Sequence, residues 1–332
     1  MQLQNLLKVC FPEVDGQINF SDQSILWKFD KAAQQISTCG LSASELLTFY
    51  GVIPRTYSCF GVQVEIGLVV DVMTSPSHRR KGLFLESSLA ALERLKSSKT
   101  AGVIGFPIRD EVMPGHLKAG WKTQFELPIY VLPVGRSKSN NFRKILLNTS
   151  AIVFEFSTRP LRGSILRNRK NLLLASISVD NLVNFYSSQN YDKYIVLAKS
   201  NDFLDWRLQR PEITYEIFSC QSQKTHAIAI TRQIVLEGIK TLAILDFESD
   251  SQLHSRHLIR HLVHFSIENQ IEVIAFTTNK GNAKRLKILT FGFLKSHKKF
   301  KVITRNISNV ANVFTTSDQS NFRITWLDSD TI

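Results

Sequence analysis

The stretch VVDVMTSPSHRRKGLF, residues 69–84, decides how the rest of the chain is read. Its first part closes an apolar, β-branched run that begins near Gln63. Its last residues open LFLESSLAALERL, residues 83–95, where Leu85, Leu89, Leu92 and Leu95 recur at helical spacing. A strand therefore runs into a helix through a loop that holds Pro76, Arg79, Arg80, Lys81 and Gly82. Such a junction aims unpaired backbone N–H groups and the positive end of the helix dipole at one spot, which makes it an anion site. Gly82 would let the backbone come close to a pyrophosphate, and the three cations would add charge. A basic turn that merely caps the helix explains the same residues equally well.

Around this unit, LLTFYGVIP (46–54), QVEIGLVVDVM (63–73), GVIGFP (102–107) and FELPIYVLPV (125–134) read as strands, since they are β-branched or aromatic runs bounded by Gly, Pro or polar residues. Strands alternating with a helix set the class as α/β. At 332 residues the chain exceeds one typical domain, and 43% hydrophobic residues suffice for two cores. A net charge of +13 calls for an anionic partner, substrate or cofactor without saying which. Cys10, Cys39, Cys59 and Cys220 are too far apart for metal knuckles and form no disulfide pattern. The N-terminus has no basic leader, and no segment is long and apolar enough to span a bilayer. The expectation is a soluble, cytoplasmic protein.

The chain divides into residues 1–135, a basic connecting segment at 136–172, and residues 173–332. The connector carries nine Lys or Arg against one Glu, which reads as a solvated basic surface rather than a dedicated binding element. The last part repeats the first in outline. ILWKFD (25–30) has a counterpart in FLDWRL (203–208), LVVDVM (68–73) in LAILDF (242–247), and HLKAGW (116–121) in LKILTFGF (286–293). Trp27 to Gly120 spans 93 residues and Trp206 to Gly292 spans 86, so the order recurs at similar spacing, as in a duplicated domain.

The segment 69–84 resembles motif A of the GCN5-related N-acetyltransferase (GNAT) superfamily. In that motif a strand is followed by Val-x-Pro-x-x-(Arg or Gln)-x-x-Gly-x-(Gly or Ala) and then a helix. Thr74, Pro76, Arg79 and Gly82 fill the frame, while Phe84 replaces the usual small residue. GFPIRDEVMPGHLKAGW, residues 105–121, is similar to the family's fourth helix, which ordinarily ends in Tyr-x-x-x-Gly-Phe. The resemblance implies two tandem GNAT-like domains, each a mixed, mostly antiparallel twisted sheet flanked by helices.

It also implies acyl transfer from acetyl-CoA to an amine, by direct attack in a ternary complex. Arg79, Arg80, Lys81, Gly82, Leu83 and Phe84 would hold the pyrophosphate, and the backbone at Met73 and Thr74 would meet the pantetheine arm and the thioester carbonyl. The family's acid position, four residues before Gly120, is His116, whose other reading is a helix-end histidine with no catalytic part. Asp71 is the candidate base; it also reads as a buried hydrogen-bonding aspartate, and Glu65 and Glu86 are the other nearby carboxylates. A substrate amine of low pKa would need no strong base. No metal is implied.

The second copy lacks Arg-x-x-Gly after LAILDF and reads as a degenerate, structural copy that forms part of an acceptor site between domains. His254, His257, His261 and His264 share one helical face. A pair such as His257 and His261 has metal-ligand spacing, but no carboxylate or cysteine stands beside it at ligand spacing, so a polar or interface face is preferred. Trp27, Trp121 and Trp206 lie in apolar patterns rather than among basic residues, and no nucleic-acid signature appears, which disfavours nucleic acid as partner.

Three alternatives stay open. One is Fem-type transfer from aminoacyl-tRNA, another is polyanion or nucleic-acid binding, and the third is CoA binding without turnover. The acceptor suggested by likeness to surface-polysaccharide members of the family is an amino sugar or its nucleotide-linked form. A homodimer is compatible with all of these readings.

Overall fold

The structure, a computed structural model, describes residues 2–12, 21–30, 36–42, 45–134, 177–221, 225–307, 313–314 and 318–329. The basic connector expected at 136–172 lies outside the described residues.

Two helices, α1 (Gln2–Cys10) and α2 (Asp22–Asp30), precede the strands β1 (Ile36–Ser42), β2 (Glu45–Cys59) and β3 (Val62–Thr74). Then come α3 (Leu83–Lys96), β4 (Thr100–Gly105), α4 (Met113–Lys118) and β5 (Lys122–Pro133). The later part runs α5 (Val179–Ser187), β6 (Ile195–Leu197), α6 (Asn201–Leu208), β7 (Glu216–Gln221), β8 (Thr225–Leu236) and β9 (Ile239–Ser249). It ends with α7 (Gln252–Glu268), β10 (Val273–Thr277), α8 (Lys280–Arg285), β11 (Leu294–Asn306) and the short β12 (Phe322–Arg323).

All the strands join one mixed sheet in the order β12-β6-β2-β3-β4-β11-β5-β10-β9-β8-β7, with β1 also on β2. From β2 to β8 this order is palindromic about the contact between β11 and β5: β2 answers β8, β3 answers β9, and β4 answers β10. β11 lies antiparallel between β4 and β5, and β5 lies antiparallel between β11 and β10. Each half therefore completes the sheet of the other.

Local chemistry follows the same symmetry. The hairpins β2–β3 and β8–β9 each turn on two residues of positive φ, Phe60 and Gly61 (54° and 85°) and Glu237 and Gly238 (52° and 80°). These are the angles of a type I′ turn, whose twist suits a two-residue hairpin. Gly120 and Gly292, with φ of 80° and 91°, each pass the chain into a buried aromatic residue, Trp121 or Phe293. Trp27 of α2 and Trp206 of α6 stack with ring centroids 4.3 Å apart. Each indole N–H donates to the other residue's carbonyl, at 2.8 and 3.1 Å.

The helices cover the sheet with the faces that burial demands, with one departure from the sequence expectation. α3 turns Ser88, Ala91, Leu92 and Leu95 inward, against Tyr50, Val52, Val69 and Val103, while Leu89 is 45% exposed. The small side chains at 88 and 91 let the helix axis come close to the sheet, and that rotates Leu89 out. α7 lays Leu258, Ile259, Leu262 and Val263 on the matching face of the other half.

Candidate functional site

The central strand β3 pairs in parallel with β4 only as far as Val69 opposite Gly105, although β3 itself continues to Thr74. The edge of residues 70–74 is thus left open on that side. On its other side β3 stays bonded to β2, with a bulge. Gly51 faces Val70 and Phe49 faces Met73, so Asp71 and Val72 together oppose Tyr50. Asp71 takes up the extra residue with φ of 49°. The bulge bends the strand at the start of the open stretch.

Met73 and Thr74 stand at the end of that stretch, and the predicted loop follows at once. Pro76–His78 makes one 3₁₀ turn, Arg80 has φ of 62°, and Gly82 enters α3 with φ of 87°. Only glycine takes this last conformation without cost. A Cβ placed on Gly82 would meet only Glu86 Oε1, at 3.7 Å, so the cradle above the glycine is open. Arg79, Arg80, Lys81 and Gly82 are all exposed, and the N–H groups of the first α3 turn point the same way. Loop, helix end and open strand edge are therefore contiguous. A diphosphate on the cradle and an extended amide-bearing arm along residues 70–74 would fit this arrangement.

Phe84, the departure from the small-residue pattern, does not intrude on the cradle. Its ring turns inward, edge-on to His116 at 5.1 Å and to Tyr50 at 6.2 Å. The space it fills is left by Gly115, where a Cβ would lie 2.4 Å from the Phe84 ring.

His116 is 3% exposed and also packs against Trp121, and its Nδ1 finds no hydrogen-bond partner among the described residues. Burial pulls its pKa down to about 4. The imidazole is then neutral at pH 7, which speaks for the helix-end reading of His116 over the acid role.

Asp71 is also engaged. Lys28 Nζ lies 2.8 Å from its carboxylate, and both side chains are nearly buried. The pairing ties α2 to the bulge and weakens the case for Asp71 as a base. Glu65 accepts from Thr100 Oγ1 at 2.5 Å, far from the open edge. Sequence reasoning did not anticipate Cys10. Its thiol, held neutral as burial pushes its pKa up, donates to the Thr74 carbonyl at 3.3 Å, beside the Arg79 Nε that donates to the same oxygen. No local pattern could have found this contact, which spans 64 residues.

In the second half the corresponding places are closed. β9 leaves β10 after Ile244 opposite Phe276 and runs on to Ser249, so the strands part as in the first half. The chain's own residues 322–328 close the wedge. Thr325 Oγ1 donates to Asp246, Arg323 pairs with Glu248, and Thr278 Oγ1 donates to the Ile324 carbonyl. Asp246 is further engaged by Lys199 at 3.4 Å and Tyr186 at 2.7 Å. In place of a glycine loop, Asp250 and Ser251 lead straight into α7, and Ser251 caps the helix by accepting from the His254 N–H.

The histidine face of α7 does not assemble as a His257 and His261 pair. His261 sits beside the Phe218 ring, His264 pairs with Glu268 at 3.2 Å, and His254 turns to His226 and Asp250. A cavity of about 690 Å³ lies between the halves, lined by Thr56, Ser58, Gln63, Tyr186, Tyr191 and Lys199. It adjoins the hairpin end of β3 at Gln63, about 36 Å along the strand from Thr74 at about 3.3 Å per residue. It is therefore not continuous with the loop.

The sheet, the parted strands and the glycine loop at a helix N-terminus are those of a GNAT-like fold. Residues 2–123 match the family model of the GNAT acetyltransferase domain, and this part of the chain is a GNAT domain. No curated protein sequence matches the chain.

Among solved structures, a probable N-acyltransferase of unknown function from Enterococcus faecalis is similar, with a TM-score of 0.64 and 12% identity over 92% of this chain and 70% of that one. A GCN5-related N-acetyltransferase from Anabaena variabilis is similar to the same extent, with a TM-score of 0.64 and 14% identity over 92% and 70%. Saccharomyces cerevisiae N-myristoyltransferase with bound myristoyl-CoA gives a TM-score of 0.61 and 9% identity over 92% and 75%. At such identities the likeness is one of fold. Among the described residues, no helix is long and apolar enough to cross a membrane.

Proposed function

We propose that the protein is a cytoplasmic acyl-CoA-dependent N-acyltransferase. The first half binds acetyl-CoA, and the second is a degenerate GNAT-like copy with a structural part. The observation that carries this reading is the meeting of the open β3 edge with the Gly82 loop inside the GNAT domain. The yeast structure, whose fold is similar, holds an acyl-CoA, which supports the donor class without fixing its chain length.

Acyl-CoA would supply a thioester carbon open to attack by an amine, and a thiol leaving group. The chain's own residues bind, orient and stabilise. Residues 79–84 neutralise the diphosphate with Arg79, Arg80, Lys81 and the first-turn N–H groups. The backbone at Met73 and Thr74 aligns the arm, with Cys10 and Arg79 yielding their hold on the Thr74 carbonyl. A backbone N–H at the bulged strand faces the developing oxyanion, a kind of donor whose loss costs about 10²–10³ in rate. Both substrates held together supply much of the remaining acceleration. With His116 neutral and Asp71 paired to Lys28, the proton of a low-pKa amine passes to water, and water returns a proton to the departing CoA thiolate. The acceptor is a small amine, and an amino sugar or its nucleotide-linked form fits the resemblance best.

Calorimetric titration of acetyl-CoA into the protein and into Gly82→Glu tests the assignment. The variant fills the open cradle with a carboxylate. Saturable binding by the wild type and at least about a hundredfold weaker binding by the variant are expected, since a charge-assisted contact is replaced by repulsion in the same space. Absence of acetyl-CoA binding by the wild type would overturn the reading. Steeply salt-dependent binding to polynucleotide would then favour the polyanion alternative.

A further inference from the structure

We propose that His226, Asp250 and His254 form a site for a divalent transition-metal ion, of the zinc type, at the strand-to-helix junction of the second half. The three residues come from the start of β8, the end of β9 and the first turn of α7, so the tertiary fold alone brings them together. His226 Nδ1 lies 2.7 Å from Asp250 Oδ2, and His254 Nδ1 lies 2.6 Å from Asp250 Oδ1. The two imidazoles stack with centroids 4.2 Å apart and planes inclined by 26°, so both turn the same nitrogen to the one carboxylate. One potential ligand atom from each residue falls in a group within 4.8 Å.

Several features separate this cluster from an incidental surface pair. Its backbone is held, because the Asp250 N–H donates to the His226 carbonyl at 3.0 Å and Ser251 caps the turn that carries His254. The cluster is reachable, with side-chain exposures of 17%, 31% and 25% for His226, Asp250 and His254.

Two imidazole nitrogens and one carboxylate make a borderline donor set that suits zinc, nickel or copper far better than magnesium or calcium. Around an ion with bonds of about 2.0–2.1 Å, tetrahedral ligand atoms sit about 3.3 Å apart. Small side-chain rotations that widen the two nitrogen–oxygen separations would admit the ion, with each ring carrying its proton on Nε2. A fourth position faces solvent and would hold water. The place matches that of the phosphate loop in the first half, where Arg79, Arg80 and Lys81 stand.

The test uses the full chain stripped of metal by chelation. Dialysis against ZnCl₂ followed by metal analysis should show one tightly held equivalent. His226→Gln and His254→Gln should each weaken it by at least about 100-fold, since loss of even an outer partner of a metal ligand costs about 10–100-fold. The double variant His257→Ala/His261→Ala should bind as the wild type does. No tight equivalent in the wild type, or tight binding that survives both single variants, would overturn the proposal. Loss of binding in the His257 and His261 variant instead would move the site and do the same. X-ray absorption of the zinc-loaded wild type needs no variant to fold: two imidazoles in the shell are expected, and none or four would be decisive against it.

Discussion

The His116 imidazole is held at about 4 by burial, against an ordinary 6.5, which makes it a determinant of acid stability. Between those two values the unfolded chain binds a proton that the folded one refuses. Its contribution is therefore intact above pH 6.5 and is lost as pH falls through 4, by about 3 kcal/mol in all. Urea titrations at pH 7 and pH 4 should show His116→Phe losing about that much less stability than the wild type. Equal losses would mean that the ring is not the group titrating. The same variant, assayed once a substrate is known, should keep kcat within about tenfold, and a fall of the 10²–10⁴ typical of a general acid would restore the catalytic role. Gly115→Ala puts a methyl against the Phe84 ring and should cost about 1–3 kcal/mol by overpacking, most of it recovered by adding Phe84→Leu.

At the scale of elements, the bulge in β3 and the helix α2 are joined through Lys28 and Asp71, while Asp246 of β9 pairs with Lys199, which precedes α6. Lys28→Met removes the cation beside a nearly buried carboxylate and should destabilise by about 3–5 kcal/mol, whereas Lys28→Met with Asp71→Leu should cost much less. Thermal melts of both variants check this, and equal shifts would show that the pair is not coupled. The strands at 46–54, 63–73, 102–107 and 125–134 and the helix from about 82 to 97 were legible in the sequence, because alternating or β-branched runs and helical spacing are local properties. The inward face of α3 was not. Small residues that allow close packing carry little hydrophobic signal, so the leucine spacing includes the exposed Leu89 and passes over the neighbouring Ser88, which faces the sheet.

For the whole molecule, the interleaving of β5 and β11 means that neither half is complete alone. Residues 1–134 expressed alone would leave β4 and β5 without the strand between them and should aggregate through those open edges. The full chain should unfold in one cooperative transition. A soluble, monomeric first half with native-like circular dichroism would contradict the dependence. Trp27 and Trp206, matched by spacing in the sequence, meet in space as a reciprocal pair, a contact that only folding could make.

By itself, and with no such signal for α1, α2 and β1, the amino-acid sequence determined the class of fold, the order of the elements from β2 to β5 and the glycine loop at the start of α3. Each of these depends on residues close together in the chain, where periodicity, turn chemistry and φ preference act. The tertiary structure decided the burial that favours the neutral form of His116 and the pairing of Asp71 with Lys28. It also decided the closing of the second wedge by residues 322–328 and the meeting of His226 with Asp250 and His254. Those depend on desolvation and on contacts between distant segments, and neither has a signature in any short stretch of sequence.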